Sequence, residues 1–138
     1  MNDLAYAAGL FDGEGTVTLG RTHANKRRYP VISLTSTTKE LVDIMKELFG
    51  GSIRARKIPK NPKHNQAWIW ELTNDSAIEV LCKILPHLRE PEKIRRADLI
   101  VRKYKLVTPR TGKYSEETNI AKLEFEKEFF KNSTKVSI

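Results

Sequence analysis

The spacing of apolar residues changes several times along this chain, and each spacing marks a different element. From Leu4 to Phe11 no residue is charged, and Asn2 or Asp3 stands ahead as an N-cap, so the segment reads as a short helix. Thr16-Val17-Thr18-Leu19 then alternates polar with apolar, and "RRYPVISLTS" resumes the alternation from Arg28 to Ser36 across the basic link "RTHANKR", which predicts a hairpin with one wet side. Thr37 or Thr38 caps "KELVDIMKELFGG", where Leu41, Ile44, Met45 and Leu48 recur at helical spacing until Gly50-Gly51 stops the helix. "SIRARKI" and "QAWIWEL" form a second pair of strands around the loop "PKNPKHN". Ser76 with Glu79 makes a capping box for a helix from Ala77 to Leu85 that turns Ile78, Leu81, Ile84 and Leu85 inward. Pro91 opens a further helix, "EKIRRADLIVRKYKL". A polar link with Pro109 and Gly112 leads to a last helix starting near Ser115, and the tail from Lys131 is expected to fray.

These elements predict an α+β fold with the order α-β-β-α-β-β-α and extra C-terminal helices. The 138 residues suffice for one domain, with a core at about 3–106 and a helical part at about 107–138. No apolar run approaches 18 residues and no signal peptide is evident, so a soluble, intracellular protein without a membrane partner is expected. The single cysteine, Cys82, falls in the apolar pattern "IEVLCKIL" and is expected to be a buried small side chain, with no disulfide or zinc chemistry.

Charge changes the picture more than composition does. The net charge is +8, and residues 21–63 hold eleven Lys or Arg against three acids, while residues 89–113 hold nine against three. A polarised basic face of this kind suits a polyanionic partner. The acids have their own anomaly. Asp12 and Glu14, in "DGEG", follow directly on the first helix, where the partial negative charge of a helix C-terminus repels them. Something positive is expected nearby.

The first helix is apolar all round, which marks it for burial on every side. Leu4, Ala7 and Phe11 form one stripe that can pack on the chain's own sheet. Ala5, Ala8, Gly9 and Asp12 form another, and its small side chains fit the same helix of a second copy in a two-fold dimer; a covering loop is the alternative. Such a dimer gathers four carboxylates, whose repulsion raises their pKa values or calls for a counter-ion, and a hard divalent cation such as Mg²⁺ suits carboxylate oxygen. Gly13 and Gly15 leave room for a backbone or phosphate. An EF-hand is excluded because His23 occupies the position where its closing Glu belongs, and a plain Asp-Gly turn is the remaining alternative.

"AAGLFDGEG", Ala7 to Gly15, resembles the signature nonapeptide of the LAGLIDADG homing endonucleases, with Ala for the first Leu and Glu as the second acid. "LFGG" at 48–51, Pro86 with Leu88, and Lys93 with Ala97 extend the resemblance over residues 3–106. One copy of the motif is similar to the homodimeric, single-motif branch. The resemblance implies a four-stranded antiparallel DNA-binding saddle and a site-specific endonuclease, intron-encoded, that hydrolyses both strands of a long pseudo-palindromic duplex. It implies Mg²⁺ or Mn²⁺ as cofactor, with Ca²⁺ binding but not supporting efficient cleavage, and no small-molecule substrate. Glu14 would bind metal with help from the backbone at Gly13, and Asp12 would hold the helix end and the interface. Ser36 matches the residue that orders the water, although the family usually has a longer Gln or Asn, and Thr35 is its alternative. Lys93 matches the basic residue that stabilises the phosphate, with Arg95 as substitute.

On the wet side the resemblance and the alternation together place Thr18, Gly20, Thr22, Tyr29, Val31 and Ser33 towards DNA, with Val17, Leu19, Ile32 and Leu34 inward. With Ile53 inward, Arg54 and Arg56 reach the groove, Lys26, Arg27, Lys57, Lys60 and Lys63 meet phosphates, and Arg28 is a further DNA-binding candidate. His23 and His64 are further candidates for DNA contact, and His87 is a surface residue. A non-cutting relative acting as intron RNA maturase or DNA-binding regulator is the competing function. A ribosome-associated or RNA-binding protein explains the charge but not the misplaced acids.

Overall fold

The computed structural model describes residues 2–23, 27–56, 66–109 and 114–131. The chain runs α1 (Asp3–Glu14), β1 (Gly15–Gly20), β2 (Tyr29–Ser36), α2 (Lys39–Phe49), β3 (Ser52–Ala55), β4 (Trp68–Thr73), α3 (Asn74–Ile84), α4 (Pro91–Leu99) and α5 (Glu116–Phe130). A short 3₁₀ turn, Leu85–His87, joins α3 towards α4, and α4 continues as a π-helical stretch, Ile100–Tyr104, and a 3₁₀ turn, Lys105–Val107. The predicted order therefore holds. Among the described residues no helix is long and apolar enough to cross a membrane.

The strands form one antiparallel sheet in the order β1-β2-β4-β3. Its register sorts the side chains into rows. Val17, Ile32 and Leu72 align on the inner face, as do Gly15, Leu34, Trp70 and Ile53. This inner face packs with α1, α2 and α3 around a core that includes Phe11, Met45, Trp70, Leu81 and Ile84, all fully buried. The helical period of α2 also buries Val42, which the sequence pattern passed over. Trp70 Nε1 donates to the Gly50 carbonyl at 2.7 Å. Gly51 must be glycine, since its φ is +97° and a Cβ would stand 2.7 Å from the Glu71 carbonyl oxygen.

Three local expectations are corrected. α1 runs to Glu14 rather than ending at Phe11, so the two acids lie in its last turn and the chain passes straight into β1. Asn2 Oδ1 caps its start through the amides of Leu4 and Ala5. α3 begins at Asn74 with Thr73 at the N-cap and no side-chain capping bond, which leaves Ser76 inside the helix and removes the capping box. β4 enters α3 without a loop, and Asn74 makes the bend at φ 55°, a left-handed conformation that Asn tolerates. Cys82 is exposed, on the outer side of α3.

The passage from α1 to β1 depends on Gly15. The Phe11 ring lies over it, and a Cβ there would stand 2.3 Å from Phe11 Cδ2. α5 packs on the turns that follow α4, with Phe125 against Tyr104 and with Phe125 and Phe129 buried, and it buries one cation. Lys122 is 2% exposed. Its Nζ donates to Thr108 Oγ1 at 2.6 Å and sits 4.0 Å from the centre of the Tyr104 ring. Burial lowers the Lys122 pKa from 10.5 to about 8, against the pull of Glu126 and with the push of Arg27.

Two outcomes follow from this packing. Gly15→Ala should cost about 1–3 kcal/mol in urea unfolding, the usual penalty of overpacking; a change under about 0.5 kcal/mol would mean that Phe11 swings away freely. For Lys122, the unfolded chain binds the proton more tightly, so its burial costs stability below pH 8, and that cost fades as pH rises from 8 to 10.5. Lys122→Met should therefore exceed the wild type by roughly 1–3 kcal/mol at pH 7. The gap should close by pH 10; a gap independent of pH would contradict the account.

Candidate functional site

The misplaced acids find their positive partners on α4. Lys93 Nζ donates to the Asp12 carbonyl at 2.6 Å, at the electronegative end of α1. The Asp12 carboxylate accepts the amides of Arg89, at 3.0 and 3.2 Å, and Glu90, at 3.0 Å. Those amides lead into α4, where the Glu90 carboxylate caps the amides of Glu92 and Lys93. Thus the positive end of α4 meets the negative end of α1, and Asp12 lies between them. Its carboxylate holds an intrachain junction, so its expected place on the open interface stripe is corrected.

Glu14 is different. It is exposed, and no described residue makes a hydrogen bond or ion pair with it. Gly13 is open as well, with nothing within 4 Å of where a Cβ would stand. At Gly15 the expected room for a phosphate is absent, because the Phe11 ring fills it. Among the described residues no three His, Cys, Asp or Glu gather in one place. Mg²⁺ needs only one or two carboxylates when phosphate oxygens and water complete its shell, and Glu14 fits as one such donor.

The strand register extends this site to β2. Gly15 pairs with Leu34, so the end of α1 meets the end of β2 at Thr35 and Ser36. Ser36 lies on the inner face with Ile32 and Leu34, is 7% exposed, and its Oγ accepts the Thr38 amide at 3.0 Å. That bond begins α2, whose N-cap Thr38 makes no side-chain bond of its own. Thr35 occupies the outer face. Of the two basic candidates, only Lys93 reaches α1. The Arg95 guanidinium binds Glu92 and the carbonyls of Glu128, Phe129 and Lys131, closing the end of α5.

The outer face of the sheet is lined with small hydrogen-bonding groups. Thr18, Val31 and Thr73 form one row, and Thr16, Ser33, Glu71 and Ser52 form the next. Thr35, Ile69 and Arg54 form the row nearest the end of α1. Arg54 pairs with Glu71 across β3 and β4, and Arg56 is exposed just beyond β3. Glu71, Ile69, Thr73 and Thr16 were not among the sequence candidates, although the inward alternation of Trp68, Trp70 and Leu72 would have found the first three. Thr22 and His23 are exposed beyond β1 and Tyr29 is half-buried. Lys26, Lys57, Lys60, Lys63 and His64 lie outside the described residues.

Two residues expected at the DNA are engaged within the chain. Arg27 stacks on Tyr114, with its guanidinium carbon 3.5 Å from the ring centre, and donates to Asn119 Oδ1 at 3.0 Å. Arg28 donates to the Leu19 carbonyl at 3.0 Å, faces Glu126 at 3.7 Å and lies over Phe130. Both are engaged by α5 and its approach. The dimer stripe is also redrawn, since Ala8 is fully buried in the chain's own core. The exposed line along α1 is Ala5, Tyr6, Gly9 and Gly13, with Tyr6 42% exposed and open space above Gly9.

The comparisons with known proteins bear on this arrangement. A comparison with curated proteins finds no match. The homing endonuclease I-CvuI, solved in complex with a DNA target in the presence of Mg, has a TM-score of 0.63 at 14% identity, covering 96% of this chain and 85% of its own. The LAGLIDADG homing endonuclease I-GzeII, in complex with its DNA target, has a TM-score of 0.59 at 16% identity, over 91% of this chain and 44% of its own. The archaeal intron-encoded I-Vdi141I, complexed with DNA, gives 0.50 at 17% identity, over 91% of this chain and 95% of its own. At these identities the likeness shows the fold. The sequence profile of the LAGLIDADG-like domain matches residues 2–86, more than half of the 138 residues, and on that ground the chain belongs to the LAGLIDADG family.

Proposed function

We propose that the protein is a site-specific, divalent-metal-dependent DNA endonuclease that works as a homodimer. The observation that carries this reading is Glu14, a carboxylate without a partner among the described residues, fixed in the last turn of α1 at the border of a hydroxyl-lined sheet face. The exposed Ala5, Gly9 and Gly13 support pairing of α1 with its copy, since small residues let two helix backbones approach closely, and Tyr6 beside them adds an exposed apolar ring. That pairing would bring a second Glu14 to the first. The similar I-CvuI structures, solved with DNA targets in the presence of Mg or Ca, are in keeping with a divalent ion.

Glu14, with the open backbone at Gly13, would hold the ion, Mg²⁺ or Mn²⁺, while Ca²⁺ would bind without efficient cutting. The bound ion supplies activation of water and neutralisation of the leaving oxygen. The chain's own residues do the rest. Lys93, anchored on the Asp12 carbonyl, places a positive charge beside the path of the phosphate. Thr35, on the outer face, can order water through its hydroxyl, and Ser36, buried and engaged by the Thr38 amide, supports the strand end beneath it. The Thr, Ser, Glu71 and Arg54 rows would enter the major groove, where Arg reads guanine and Glu accepts from the cytosine amine.

Glu14→Gln separates this reading from a non-cutting relative that binds DNA or RNA. A duplex selected by binding from a randomised pool serves for both assays. The variant should bind within about threefold of wild type, because its change lies off the strand rows, and cleavage in Mg²⁺ should fall at least about a hundredfold. Cutting by Glu14→Gln at the wild-type rate would contradict the proposed site, and a wild type that binds but does not cut in Mg²⁺ or Mn²⁺ would favour the regulator or maturase.

A further inference from the structure

α4 grips the chain on both sides of Glu14. Lys93 takes the Asp12 carbonyl, two residues before it, at 2.6 Å, and Arg96, one turn further along α4, gives Nη1 to the Val17 carbonyl, three residues after it, at 2.9 Å. The short segment that carries Glu14 is thereby pinned at both ends to one helix. The second anchor is possible because β1 is an edge strand. Its Val17 and Leu19 carbonyls, two residues apart, face the open side, where the sheet supplies no partner, and Arg96 and Arg28 fill the two places.

Arg96 is itself held from behind. Its guanidinium lies 4.8 Å from the centre of the Phe129 ring and 5.8 Å from that of Phe130, and Arg28 lies 4.7 Å from Phe130 on the same ring. Arg96 Nε is buried without a hydrogen-bond partner among the described residues. A buried, unsatisfied donor costs stability, so the side chain is placed for its Val17 bond and its ring contacts and not to saturate its donors. A planar guanidinium stacked on rings has little freedom to follow the strand if the strand shifts.

We infer that Arg96 is a positioning residue for Glu14: through the Val17 carbonyl it fixes the start of β1, and through Phe129 and Phe130 it ties that position to α5. This rests on the reading of Glu14 as a metal ligand. On that reading Lys93 would meet the phosphate directly, whereas Arg96 acts through the backbone, three residues from the carboxylate. The C-terminal helix then takes part in setting the metal site although it contributes no group to it.

The test uses the full chain bound to a selected duplex made uncleavable by a phosphorothioate linkage, with Mn²⁺ affinity read by electron paramagnetic resonance and single-turnover cleavage measured on the ordinary duplex. Arg96→Met should weaken Mn²⁺ binding and slow cleavage each by about tenfold, the usual scale for losing a group that orients a ligand, with duplex affinity in EDTA unchanged within about twofold. Arg96→Lys should restore most of both, since an ammonium can reach the same carbonyl. Phe130→Leu, which removes a ring that is 40% exposed and leaves the buried core untouched, should shift Mn²⁺ binding in the same direction by about threefold and carries the test if Arg96→Met does not fold. Unchanged Mn²⁺ affinity in folded Arg96→Met, or in Phe130→Leu where it alone folds, overturns the inference. Glu14→Gln measured alongside keeps the two failures apart. Loss of Mn²⁺ binding there, without loss in the Arg96 variant, overturns only the positioning role, while no loss there overturns Glu14 as the ligand.

Discussion

The Asp12 carboxylate stands at the negative end of one helix because the leading amides of another are turned towards it. That junction orders much of the molecule. It places α4 against the end of α1, brings Lys93 to the Asp12 carbonyl, and sets the direction in which the chain leaves for β1. Two carboxylates two residues apart in the sequence acquire opposite environments as a result. Asp12 is consumed by structure and Glu14 is left open. Gly15 completes the junction, since only a residue without Cβ can pass beneath the Phe11 ring.

The excess of basic residues divides in a similar way. Much of it is not a free face. α5 begins with two glutamates and carries Glu126 and Glu128 towards its end, and these meet Arg28 and Lys103, while Arg95 closes its final carbonyls. Arg27 and Arg28 sit at the turn end of the β1–β2 hairpin, just before β2, where contacts with Tyr114 and Phe130 fix them. Among the described residues the arginines directed outward from the sheet are Arg54 and Arg56, and Arg54 is already oriented by Glu71. A surface of hydroxyls, a few apolar groups and one preset ion pair suits discrimination between base edges better than a uniform positive charge would.

What was legible in the sequence is what depends on short-range periodicity. The alternation around Val17, Leu19, Ile32 and Leu34 gave their faces correctly, and the charge anomaly at Asp12 pointed to a positive partner before any contact was known. The errors have a common physical origin in contacts remote along the chain. Ser76 and Glu79 have the spacing of a capping box, but β4 runs directly into α3, so the helix starts before them. Cys82 sits in an apolar run yet faces outward, because the buried side of α3 is set by Ala77, Ile78, Val80, Leu81 and Ile84. Ala8 looked free only while the depth of α1 in the core was unknown. No local pattern marks Arg96, whose partners are 79 residues away at Val17 and on the far helix.

On the proposed function, the open Glu14 carboxylate of one chain is half of a metal site, completed by the second copy across α1. Native mass spectrometry of the cutting-competent complex on a selected duplex, in Mg²⁺, tests it most directly. The account predicts two chains on one duplex, with no cutting by a single bound chain. A complex of one chain and one duplex that hydrolyses both strands would contradict it.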